Sequence, residues 1–87
     1  GRAQVVVTDP SGTGVAMSWA GECPWVQIHT ADLPTGPGTP GHRAGLAVEP
    51  MTCAPDAFND DAYDFDTGVV SLDPGVSHEA GWTISAR

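Results

Sequence analysis

Glu49 closes a short apolar run, Gly45-Leu46-Ala47-Val48-Glu49, and is followed at once by Pro50. In an extended chain Leu46 and Val48 point to one side while Gly45, Ala47 and Glu49 point to the other, so the carboxylate stands on a face cleared by small residues. A carboxylate there is costly to bury without a partner, and it therefore lies at a rim or serves a purpose. Spacing alone favours an ordinary strand-end charge in water. If it serves a purpose, an ionised carboxylate within hydrogen-bond reach of a hydroxyl is a competent general base.

A second group stands on residues 25–30, where Val26 and Ile28 share one face and Trp25, Gln27 and His29 share the other. That row joins a flat apolar surface to neutral hydrogen-bonding groups, the pairing that sugar hydroxyls and sugar C–H faces require. A half-covered strand face with an edge tryptophan has the same composition, and both readings stay open. The acidic run Asn59-Asp60-Asp61-Ala62-Tyr63-Asp64-Phe65-Asp66 invites a calcium reading. The spacing of acid, glycine and closing glutamate that a calcium loop needs is absent, so a solvated acidic loop is the better reading, pinned to the body by Phe58, Tyr63 and Phe65. Cys23 and Cys53 lack both zinc-ligand spacing and a disulfide framework, and are read as free thiols.

The elements that must hold these residues are strands. Residues 4–8 are a β-branched run, and Asp9-Pro10-Ser11-Gly12-Thr13-Gly14 is a dense turn signal. Residues 15–20 then alternate, with Val15, Met17 and Trp19 on the large-residue face of a hairpin. Further strands are predicted over 25–30, 43–48, 67–72 and 76–86, with Pro50 ending the fourth because it has no N–H to donate. Residues 31–42 hold three prolines and three glycines and form a connection without regular structure. Residues 55–59 suit a single helical turn. Six strand-like runs with no long helix-period segment make the class all-β and antiparallel.

The chain has 87 residues and a formal charge of −8, with three arginines and no lysine. Such a surface offers nothing to a phosphate backbone or an anionic membrane, so neither nucleic acid nor membrane is an expected partner. No run approaches the ~20 apolar residues of a membrane helix. Large apolar side chains are few, and the start Gly1-Arg2-Ala3-Gln4 leads straight into a strand without a methionine, which suits an internal segment better than a self-sufficient globule.

Residues 45–59, GLAVEPMTCAPDAFN, resemble the segment of the aldose 1-epimerase (galactose mutarotase) family in which a strand delivers a catalytic glutamate before a P-D-A or P-N-A turn and an asparagine. Pro24-Trp25-Val26-Gln27-Ile28-His29-Thr30 is similar to the family's G-V-Q-x-Y-T strand, departing from it at Trp25 and His29. Leu72, Pro74, Gly75, His78, Trp82 and Ile84 look like its closing hairpin, where His78 is structural. The resemblance implies that residues 1–87 are the C-terminal segment of one mutarotase-like β-supersandwich domain. It implies an isomerase that interconverts the α and β anomers of a hexose, with Glu49 as base and Gln27 as a substrate contact. The acid in that family is a histidine upstream of this segment, so the implied partners are a hexose and the N-terminal remainder of the same protein, in the same or a separate chain. His29, His42 and His78 do not sit in matching contexts. No cofactor or metal is implied, and a cytoplasmic location is expected. The alternatives are a non-catalytic carbohydrate-binding β-sandwich domain and a calcium-stapled β module.

Overall fold

The computed structural model describes all 87 residues, and it is all-β with antiparallel pairing throughout. The β-branched run becomes β1 (Arg2–Thr8), and a five-residue turn returns the chain as β2 (Gly14–Ala20). Asp9 builds that turn: its carboxylate accepts the backbone N–H groups of Ser11 at 2.8 Å and of Thr13 at 3.1 Å, while Gly12 takes a left-handed φ of 93°. The last strand, β5 (Trp82–Ala86), pairs along the free side of β2, giving a three-stranded sheet of order β1-β2-β5. A second sheet consists of β3 (Trp25–His29) and β4 (Ala47–Met51).

The hydrogen bonds from Ser11 hold the Asp9 carboxyl below its usual range, the hydroxyl of Ser11 contributing most. A carboxyl that is more acidic when folded stabilises the fold at pH values above its unfolded pKa of about 3.9, and that contribution is lost as pH falls through the lower folded value. The expected result is a thermal midpoint that drops on acidification below about pH 4 and drops less steeply in Asp9→Asn. Melting both proteins across that range by circular dichroism checks it.

In the three-stranded sheet the register aligns Val5 with Met17 and Met17 with Ile84, and Trp19 with both Ala3 and Trp82. One face is therefore entirely apolar, as the alternation of residues 15–20 predicts. The other carries small and polar groups such as Ala16, Ser18 and Ser85, with Arg2 donating to the Ser18 hydroxyl at 3.1 Å. Val48 of the second sheet and Leu46 just before it come over the apolar face, where with Val5, Val7, Val15, Met17 and Ile84 they line a cavity of about 240 Å³. The two sheets thus meet through their aliphatic sides without filling the space between them.

Burial is sparse. Only Ala16, Trp19, Cys23, Ala54, Ala57 and Thr67 are buried, and no large side chain is fully enclosed. The chain exposes 6389 Å², against about 4,800 Å² for a compact protein of this mass. Its radius of gyration is 16.6 Å, against about 12 Å for a compact domain of this length. Hydrophobic stabilisation scales with apolar area removed from water, so the apolar faces contribute only part of what they would if covered.

Three strand expectations need correction. The fourth strand is shifted from residues 43–48 to β4, and Pro50 lies within it, opposite Val26. A two-stranded sheet allows this, because at a non-hydrogen-bonded pair the amide positions face outward and a missing N–H costs no ladder bond. Residues 67–72 form no strand. Gly68 takes a φ of 79°, and no second strand lies alongside, so Val69, Val70 and Leu72 are exposed. Only the last part of 76–86 is strand, so the expected closing hairpin reduces to a turn in which Val76 N–H donates to the Asp73 carbonyl at 3.0 Å.

Residues 31–42 form the connection without strand or helix that is expected, and the turns after β4 differ in part. Residues 31–42 close on themselves: Arg43 N–H donates to the Ala31 carbonyl at 2.9 Å, the Arg43 guanidinium lies 3.3 Å from Asp32, and Leu33 N–H donates to His42 Nδ1 at 2.9 Å. After β4 the chain makes two successive turns, the second the 3-10 turn Asp60–Ala62. Tyr63 donates to the Pro55 carbonyl and packs against Phe65 with ring centroids 4.9 Å apart and the ring planes tilted by 57°. Phe58 does not pin the loop; it is 92% exposed, because Ala54 and Ala57 take the inward positions of the preceding turn.

Candidate functional site

Gln27 and Glu49 are direct cross-strand partners in the β3–β4 sheet. Opposite residues share a face, with Cβ atoms about 5 Å apart, so the amide and the carboxylate stand side by side. The same register places Trp25 opposite Met51 and His29 opposite Ala47. Trp25, Gln27, His29 and Glu49 therefore lie on one face, with Trp25 and His29 on the two diagonals of Glu49. Ala47 leaves room beside the carboxylate, as the alternation of residues 45–49 predicts. Sequence reasoning had each row separately; it missed that the rows are neighbours, which makes His29 an additional member of the group.

The environment is open. Gln27, His29 and Glu49 are all exposed. Trp25 is half-buried, because the segment after the acidic run returns over it: an added Cβ at Gly68 would overlap the Trp25 ring and lie 3.1 Å from the Thr52 carbonyl oxygen. That contact covers part of the Trp25 ring. The nearest concavity to Glu49 has a volume of about 350 Å³ and is bounded by Met17, Val48, Glu49, Pro50 and Trp82. Its walls are mostly apolar, and Gln27 and His29 are not among them. The chain thus brings the carboxylate and the amide together but does not enclose them.

The other histidines stand elsewhere. His42 Nδ1 is occupied by the Leu33 N–H, and His29 Nδ1 accepts the Ala31 N–H at 3.3 Å, which leaves Nε2 of each ring as the free nitrogen. His78 lies on the exposed stretch between the Asp73 turn and β5. No group of three His, Cys, Asp or Glu side chains is gathered to hold a metal ion, and the side-chain hydrogen bonds of the acidic run are Asn59 donating to Asp56 at 3.3 Å, Tyr63 donating to the Pro55 carbonyl, and Asp66 accepting the Gly68 N–H at 2.9 Å. No helix is long and apolar enough to cross a membrane.

Comparison with protein-family models, with curated proteins and with solved structures returns no match to this chain.

Proposed function

We propose that the chain is the base-bearing, C-terminal part of a mutarotase-like isomerase acting on a hexose. The observation that carries this reading is the direct pairing of Gln27 with Glu49 on one exposed strand face. Mutarotation opens the sugar ring and recloses it after rotation about C1–C2, which requires a base for the C1 hydroxyl proton and an acid for the ring oxygen. Glu49 takes the proton, and Gln27, whose amide both donates and accepts, orients a neighbouring hydroxyl. The acid is a histidine outside residues 1–87, on a remainder of the protein that closes the open face and covers the exposed apolar surface. No cofactor takes part, and the enzyme works in the cytoplasm. A non-catalytic carbohydrate-binding domain is the second reading, favoured by the exposure of Gln27 and Glu49 and by the partly free Trp25 ring.

The division of labour predicts that the 87-residue chain by itself does not accelerate mutarotation. Polarimetry of freshly dissolved α-glucose or α-galactose tests this. Turnover by the isolated chain that disappears in Glu49→Gln would show that the acid lies within these residues.

A further inference from the structure

The β3–β4 ladder pairs Trp25 with Met51. Cys23 stands two residues before the first residue of β3 and Cys53 two residues after the last residue of β4, just beyond this terminal pair. The paired strand ends bring the two chain segments that carry them to the same end of the sheet, and a disulfide needs Cα atoms within about 7 Å. Both cysteines line one cavity of about 530 Å³ at this end of the sheet, together with Met51, Pro50 and Trp82. Both are free, Cys23 buried and Cys53 half-buried. No third metal-ligating side chain joins them, which leaves thiol–disulfide chemistry as what the pair can do.

We propose that Cys23 and Cys53 form an intramolecular disulfide by exchange with a low-molecular-weight disulfide such as glutathione disulfide. The more accessible Cys53 thiolate attacks one sulfur of glutathione disulfide, forming a mixed disulfide and releasing one glutathione thiolate. The Cys23 thiolate then attacks the Cys53 sulfur and releases the second glutathione. The two protein thiols lose two electrons and two protons; the glutathione disulfide takes up the electrons and leaves as two thiols. The bond joins the turn before β3 to the bend after β4, at the end of the sheet opposite the 31–42 loop. It locks the register that sets Gln27 beside Glu49 and closes a long loop in the unfolded chain, which raises the thermal midpoint. This inference stands on the paired strand ends and the shared cavity, and is independent of the proposed function.

Arg43 is the one trypsin site between the two cysteines, and its side chain is 61% exposed. The test treats the reduced 87-residue chain with glutathione disulfide, blocks remaining thiols, records the intact mass and digests with trypsin without reductant. The expected product is a monomer lighter by two hydrogen atoms, whose peptides 3–43 and 44–87 stay linked until a reductant is added. In Cys23→Ser the expected product retains one glutathione on Cys53, because the resolving thiol is gone. The proposal is overturned if wild-type peptides separate with glutathione still attached or with both thiols blocked, or if the intact mass is that of a disulfide-linked dimer.

Discussion

Under the proposed function, exchanging Glu49 for glutamine in a protein that joins this chain to the proposed acid-bearing remainder is expected to lower kcat for mutarotation by ~10²- to 10⁴-fold, the range for loss of a general base. KM for the hexose is expected to stay nearly unchanged, because glutamine keeps the size and the hydrogen-bonding oxygen of glutamate and loses only the ability to take a proton. The physical basis is position. Glu49 has Gln27 directly across the ladder and Ala47 and Met51 on either side along its own face, with no cation beside it. A carboxylate not held in an ion pair remains available to a substrate hydroxyl. If Glu49 merely holds sugar, the same substitution raises KM and leaves kcat, and the carbohydrate-binding reading is then the right one. Initial rates over a range of hexose concentration separate the two.

Gly14→Ala is expected to be the most damaging single substitution in the three-stranded sheet. A Cβ on Gly14 would fall on the Val7 carbonyl oxygen and within 2.7 Å of the Thr8 Cα, both of them backbone atoms that no rotamer change can move. Gly14 also exchanges two hydrogen bonds with Arg87, at 3.2 and 2.9 Å, so a shift that relieves the overlap loosens the end of β5. Overlap of this kind costs on the order of 3 kcal/mol, which in a domain of this length lowers the thermal midpoint by more than ~10 °C. Gly21→Ala is the control. Nothing lies within 4 Å of the added atom, and its midpoint is expected to stay close to wild type. Parallel thermal melts of the two variants decide whether the overlap at the hairpin end, and not glycine content as such, is responsible.

Local pattern made much of the fold legible. The β-branched run and the alternation after it specify β1 and β2, and the Asp-Pro-Ser-Gly-Thr-Gly cluster specifies the turn between them, because each depends on residues close in sequence. The expected strand over residues 67–72 failed for the complementary reason: apolar, β-branched residues suit a strand, but a strand also needs a partner, and the left-handed Gly68 turns the chain away. The pairing of β5 with β2 and of β3 with β4 was not legible. Both join segments separated by long connections, and turn geometry fixes register only across short ones. For the same reason the candidate site was half visible. The alternation put Gln27 with Trp25 and His29, and Glu49 opposite Leu46 and Val48. That Gln27 and Glu49 are neighbours depends on a register set beyond the 31–42 loop.

The most direct test of the account is exchange between the two anomeric C1 protons of galactose or glucose, followed by two-dimensional NMR with the joined protein present. The account predicts α-to-β exchange well above the uncatalysed rate, returning to that rate in Glu49→Gln. Exchange that the protein does not accelerate, or acceleration that survives the substitution, would contradict the claim that Glu49 is the base of a hexose isomerase.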